Sequence, residues 1–275
     1  MKELFIKYPI LSFKKNSELF FAVHLVEHCN LNCAYCEHFS PIAEKYFLSI
    51  ESFSSDIERL GKIFGNHCKK IVFNGGEPLL HPNINDFLVV ARKNFISGRI
   101  LVNTNGILLD KMPTEFFITC KENNIRIIVS KYNINLNHKE IFDKVQKYGV
   151  KINFFENFDK TTDKNSFCYK PLDLEGKQDY KLNFLMCQNA NKCISLREGK
   201  LFPCNFSAYK YHLNRKFGLN LEESEKDYIN IYSNYNKEEI LELLTHPIPC
   251  CRYCLPEKII RKPWKISTRK IGEWI

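Results

Sequence analysis

Residues 19–36 read LFFAVHLVEHCNLNCAYC. The apolar run at 19–26 has the length and the β-branched and aromatic content of a buried strand. Cys29, Cys33 and Cys36 follow it, spaced C-x3-C-x2-C. A loop of that size can wrap three thiolates around one face of a cubane iron–sulfur cluster and leave the fourth iron without a protein ligand. An open coordination position separates reactive from structural metal sites. The segment therefore reads as a strand that delivers metal chemistry to its carboxyl end.

Outward from this stretch, strand-like runs recur at 70–73 (KIVF), 99–103 (RILVN), 125–130 (IRIIVS) and 150–155 (VKINFF). Helical patterns lie between them at 49–64, 84–95, 113–124 and 138–149. Ser49 ahead of Glu51 and Pro113 at an early helical position are start signals, and Gly149 is a stop signal. Strand–helix alternation of this kind predicts βαβ units, a parallel sheet and right-handed crossovers. Ligands of such sheets bind at the carboxyl ends of the strands. Cys29 follows the first strand, Gly75 the second and Asn103–Gly106 the third, while Ser130 ends the fourth. Four polar or metal-binding features thus fall on one rim.

Regular alternation fades from about residue 156 into a polar, irregular stretch, and then cysteines return. CQNANKCISLREGKLFPC holds Cys187, Cys193 and Cys204, and PIPCCRYC holds Cys250, Cys251 and Cys254. The middle of the first string reads as a hairpin turning at Gly199. KEEILELLTHP supplies a short helix ahead of the last pair.

The 275 residues can bury a large core, suited to one α/β barrel-like domain with a small appendage. No apolar run is long enough for a transmembrane helix, and the N-terminus lacks the continuous core of a signal peptide. A cytoplasmic protein is expected. Its twelve cysteines then stay reduced and, where clustered, read as metal ligands. Cys68, Cys120 and Cys168 stand alone and read as small buried side chains. The formal charge of +9 is scattered, which suits a solvated surface and leaves room for an anionic substrate. No nucleic-acid patch of clustered basic and aromatic residues is visible.

CNLNCAYC resembles the cluster loop of the radical S-adenosylmethionine (SAM) enzymes. About 40 residues on, KKIVFNGGEPLLHP carries Gly75, Gly76, Glu77 and Pro78, which resemble that family's glycine–glycine–glutamate–proline motif. The resemblance implies a partial (β/α)6 barrel and a [4Fe–4S] cluster with an open iron on Cys29, Cys33 and Cys36. It also implies that SAM lies beside Tyr35, with Gly75, Gly76, Glu77 and Pro78 at its methionine part and Thr104, Asn105 and Ser130 toward the ribose. Lys131 and Tyr132 replace the acidic residue and glycine that often follow the serine. The second cysteine group resembles the SPASM/Twitch auxiliary-cluster domain, a hairpin plus helix. That implies one auxiliary iron–sulfur cluster, of [4Fe–4S] type, with ligands among Cys187, Cys193, Cys204, Cys251 and Cys254. Cys187 and Cys193 compete for one place, and Cys250 is a bystander. A four-cysteine zinc site is the alternative.

The expected organisation is an N-terminal extension over 1–18, the barrel core over 19–160, a linker and last barrel element over 161–186, the auxiliary-cluster domain over 187–256 and a basic tail over 257–275. The tail, with Trp264 and Trp274, is expected to pack on the barrel. By resemblance, the activity is reductive cleavage of SAM to a 5′-deoxyadenosyl radical that abstracts a substrate hydrogen atom. An auxiliary cluster as electron acceptor favours dehydrogenation. The first cluster cysteine stands at position 29, which leaves no room for the N-terminal peptide-recognition module of many peptide-modifying relatives. A carbohydrate or sugar-nucleotide substrate is therefore expected ahead of a peptide crosslinked or oxidised after translation. A flavodoxin or ferredoxin would donate electrons. Arg126, Glu156 and Arg197 are candidate proton acceptors by position, and His38 is a candidate substrate-facing residue. A non-catalytic metal-binding module is the remaining reading.

Overall fold

Five parallel strands form the frame: β1 (Leu19–Val26), β2 (Cys68–Gly75), β3 (Arg99–Thr104), β4 (Ile125–Lys131) and β5 (Lys151–Glu156), hydrogen-bonded in that order. The computed structural model describes residues 17–156, 158–159 and 164–275. Residues 1–16 of the expected N-terminal extension, and residues 157 and 160–163 of the irregular stretch, lie outside the described residues.

Helices α1 (Ile50–Phe64), α2 (Ile84–Asn94), α3 (Thr114–Glu122) and α4 (His138–Lys147) connect successive strands, as the alternation predicted. Ser49 caps α1 by accepting the N–H of Ser52 at 3.1 Å. Pro113 sits one position earlier than expected, as the N-cap of α3. Gly149 follows the end of α4 with a φ of 68°, a conformation that glycine adopts without strain. Alternation along β1 sends Leu19, Phe21, Val23 and Leu25 into the main core, against Phe53, Ile57, Leu60 and Phe64 of α1. Phe20 and Ala22, with Phe21, also border a cavity. Cys68 and Cys120 are buried in the apolar core, as small side chains should be. Among the described residues no helix is long and apolar enough to cross a membrane.

After β5, a two-residue strand β6 (Phe158–Asp159) pairs with β7 (Lys164–Tyr169). Helix α5 (Tyr180–Met186) precedes the hairpin of β8 (Ser195–Arg197) and β9 (Lys200–Phe202). Glu198 and Gly199 both have positive φ at its turn, 50° and 70°, which matches the twist of the flanking strands. This hairpin lies in the same sheet as the barrel strands. Ser195 and Leu196 pair in parallel with Ala22 and Val23 of β1, and β10 (Ile229–Asn230) pairs antiparallel with β9. The result is one eight-stranded sheet in the order β10-β9-β8-β1-β2-β3-β4-β5.

Short helices α6 (Asn205–Tyr209) and α7 (Tyr211–Phe217) follow, with the Tyr209 ring stacked on His24 of β1 and His212 bonded to Glu27 just past it, and α8 (Lys237–Leu243) carries an Asn236/Glu239 capping box. The tail forms β11 (Ile260–Pro263), antiparallel to β7. It then runs along the three-cysteine loop, and its Trp274 is 4% exposed in a cluster with Phe39 and Leu172. Pairing of β7 with β11 places Cys168 in a partner strand, half-buried, rather than in the core as expected.

Candidate active site

The three-cysteine loop leaves β1 and folds back on itself, with Tyr35 and Phe39 at φ 63° and 57°. The tail stitches it in place. The N–H of Ala34 donates to Lys265 O at 2.9 Å, that of Ser267 to Asn32 O at 2.8 Å, and the Trp274 indole N–H to Cys36 O at 3.1 Å. Cys29 Sγ accepts the N–H of Leu31 at 3.3 Å, and Cys33 Sγ accepts the Trp264 indole N–H at 3.2 Å. Cys29, Cys33 and Cys36 all line one cavity of about 550 Å³.

The rim predicted from strand ends meets this cavity. Gly75, Gly76, Asn103, Thr104, Asn105 and Ser130 line the same space as the three thiols. The glycines are required by the chain beside them. A Cβ on Gly75 would stand 2.3 Å from Val26 O, and one on Gly76 would stand 1.8 Å from His28 O. The Gly76 N–H donates to Val26 O at 2.7 Å, so the end of β2 is sewn to the segment that enters the cysteine loop.

The Glu77 side chain is not among the groups that line the cavity. It is fully buried. Oε1 accepts from Thr104 Oγ1 at 2.7 Å and Leu79 N at 3.1 Å, and Oε2 accepts the N–H of Asn105 at 2.8 Å. It ties the ends of β2 and β3 together, and burial raises its carboxyl to about 7 against those hydrogen bonds. Pro78 begins a single 3₁₀ turn. The buried ring of Tyr35 meets Tyr169 edge-on at 5.3 Å and lines a second, smaller cavity.

That second cavity, of about 170 Å³, is lined by Cys187, Cys193, Cys204 and Cys254, with apolar walls that include Phe39, Leu172, Phe206 and Trp274. Cys251 is buried within electrostatic reach of Cys187, Cys204 and Cys254. The side-chain amide of Asn183 donates to Cys251 O at 3.0 Å and Cys254 O at 2.6 Å, which fixes the C-x2-C turn on α5. Lys210 stands at the thiol of Cys250, which is also within electrostatic reach of Cys204, Cys251 and Cys254, and the Cys250 N–H donates to Asp227 at 2.7 Å. Cys168, Cys193 and Lys170 line both cavities, so the two share a wall.

Burial pushes these thiols well above their ordinary range, Cys29 to about 12 and Cys193 to about 11, with Cys33, Cys36, Cys204, Cys251 and Cys254 also raised. Thiolates at such positions need a cation to hold their charge. Among the described residues no three His, Cys, Asp or Glu side chains converge closely enough to hold a single metal ion.

None of Arg126, Glu156 and Arg197 lines the large cavity. Glu156 pairs with Lys131, and Arg197 lies between the rings of Phe202 and Tyr211. His38 does line it. Its Nδ1 is 2.7 Å from His24 Nε2, and Glu27 accepts from both His24 Nδ1 at 3.3 Å and His212 Nε2 at 2.9 Å. Burial lowers His38 to about 3. Glu27, despite its burial, is held at about 2 by the two histidines. This buried chain was not read from the sequence. Its one sequence signal is a polar pair, His24 and Glu27, inside and just past an apolar strand.

Residues 23–157 match the profile of the Radical SAM superfamily. The GTP 3′,8-cyclase of Chlorobaculum tepidum is 36% identical over 83 residues, 30% of this chain and 24% of that protein. The antilisterial bacteriocin subtilosin biosynthesis protein AlbA of Bacillus subtilis is 35% identical over 98 residues, 36% of this chain and 21% of that protein. The matches therefore span about a quarter of these curated relatives or less. Among solved structures, BtrN in complex with AdoMet and 2-DOIA superposes with a TM-score of 0.51 at 17% identity, covering 86% of this chain and 85% of that one, and shares the fold. Profile, motif order and fold agree, and the chain belongs to the radical SAM superfamily, an enzyme family that works with a [4Fe–4S] cluster and SAM.

Proposed function

We propose that the chain is a radical SAM oxidoreductase that dehydrogenates a carbohydrate carrying an anionic group. Cys29, Cys33 and Cys36 would hold a [4Fe–4S] cluster, with SAM against Gly75, Gly76, Asn105 and Ser130. Cys187, Cys204, Cys251 and Cys254 would hold an auxiliary cluster, and Cys193 would sit between the two sites. When bound, these groups supply reductive cleavage of SAM to a 5′-deoxyadenosyl radical, hydrogen-atom abstraction, and an acceptor for the remaining substrate electron. The observation that carries this reading is the wall shared by the two cysteine-lined cavities. A substrate bound at the first is next to the second, as a one-electron oxidation requires.

The chain's own groups bind and orient. Lys70 and Lys192 line the large cavity, and among the described residues neither makes an ion pair. Burial, and then the neighbouring Arg99, lower the Lys70 amine below its ordinary range, which a phosphate or carboxylate beside it would relieve. His38, held by His24, offers an imidazole to a substrate hydroxyl. The tail and the apolar walls exclude water. A cytoplasmic setting would keep the thiols reduced and supply a low-potential donor such as flavodoxin or ferredoxin.

Anaerobic reconstitution with iron and sulfide tests the reading. About eight irons per chain and release of 5′-deoxyadenosine on reduction are expected. Four irons or fewer, or no SAM cleavage, would refute it. Peptide modification is the second reading, favoured by the likeness to AlbA. Turnover of a peptide with no response to phosphorylated sugars would establish that reading in its place.

A further inference from the structure

We propose that Trp264 is a positioning residue for the three-cysteine cluster: its indole N–H donates to the Cys33 thiolate and sets the reduction potential of the cluster. The inference rests on the reading of Cys33 as a cluster ligand. Trp264 Nε1 lies 3.2 Å from Cys33 Sγ across 231 positions of sequence. Among the described residues the other side-chain N–H donor at these three sulfurs, Asn105 Nδ2, stands 3.7 Å from Cys29 Sγ and is engaged at 2.7 Å by Asn30 Oδ1.

The donor is held before any cluster arrives. Ahead of it, β11 pairs with β7. Behind it, Ile266 bridges Cys33, and Ser267 exchanges hydrogen bonds with Asn32. Glu273, itself buried, accepts from the hydroxyl of Ser267 at 2.5 Å and from the N–H of Thr268 at 2.6 Å, which fixes the turn after it. The Tyr132 ring lies 6.4 Å from the indole. A fixed N–H dipole aimed at a buried thiolate stabilises the more negative, reduced state more than the oxidised state. Hydrogen bonds to sulfur and exclusion of solvent are two of the levers a protein has on such potentials. Loss of the N–H with the ring retained should therefore lower the potential.

The chain has two tryptophans, which makes the contact directly observable. The full chain is reconstituted with iron and sulfide, reduced, and labelled with indole-¹⁵N tryptophan. A ¹⁵N hyperfine coupling to the cluster spin is expected in the unsubstituted protein and in Trp274→Phe, whose lost N–H served the Cys36 carbonyl. Trp264→Phe should abolish the coupling. It should also lower the reduced-to-oxidised ratio at fixed potential about tenfold, which is about 59 mV for a one-electron couple. Trp274→Phe should leave the potential nearly unchanged. A cluster signal without ¹⁵N coupling, or equal shifts in both variants, overturns the assignment of Trp264. Absence of any cluster signal in the unsubstituted protein overturns the underlying cluster reading instead. Should Trp264→Phe not fold, the labelled Trp274→Phe protein decides the matter alone.

Discussion

The two cysteine-lined walls differ in what stands beside the sulfur. Around Cys29, Cys33 and Cys36 there is a cavity of about 550 Å³, faced by glycines and by the polar ends of β2, β3 and β4. Around Cys187, Cys204 and Cys254 the space is about 170 Å³ and its walls are largely apolar. Three thiols with room for a second molecule are the arrangement of a reactive centre. Thiols beside a small, largely apolar space suit a group that stores or passes an electron, as the proposed reading requires. Thiol number matters less here than the space and polarity beside it, and both are set by the strand ends that reach each wall.

The sharpest way to break this contrast is to remove one thiol from each side. Cys33→Ala should reduce 5′-deoxyadenosine release on reduction to the uncatalysed background. Cys254→Ala should keep most SAM cleavage, measured by chromatography, while substrate oxidation is lost. Equal loss of SAM cleavage in both would make the two walls one functional unit. Within the second wall, Cys250→Ser should retain its iron and Cys251→Ser should not, because the Cys250 thiol faces Lys210.

Gly76→Ala probes the frame of the first wall. The new methyl would meet His28 O at 1.8 Å, and neither that carbonyl nor the strand can withdraw without breaking hydrogen bonds. A loss of about 3 kcal/mol or more is expected in denaturant unfolding. A loss below about 1 kcal/mol would show that the loop is not seated on β2 as described.

The smallest effect concerns Glu77. Its carboxyl is raised from 4.5 unfolded to about 7 in the fold, chiefly by burial. The folded state then binds the proton more tightly between those values, so this group makes stability fall as pH rises from about 4.5 to about 7. Glu77→Gln should flatten that fall by on the order of 1–2 kcal/mol. An unchanged slope would place the ionised form comfortably in the fold and leave the knot between β2 and β3 indifferent to charge.

Much of the barrel and half of the site were legible because they are local. Apolar period, helix caps and the spacing of Cys29, Cys33 and Cys36 lie within a few residues of one another. The side chains of Glu77 and Tyr35 do not line the large cavity. Which way a side chain points at a strand end depends on neighbours such as Thr104 and Tyr169, tens of residues away or more. Cys168 looked isolated in sequence and stands at the shared wall because β11 pairs with its strand.

The amino-acid pattern alone determined the parallel βαβ order, the rim of strand ends and the two groups of thiols, since each follows from short-range periodicity and spacing. Only the tertiary structure decided that β8 joins β1, that the tail clamps the cysteine loop through Trp264 and Trp274, and that the two cavities share Cys168, Cys193 and Lys170. Those contacts join residues far apart in sequence. They are selected by burial and by hydrogen-bond satisfaction over the whole molecule, which no local pattern encodes.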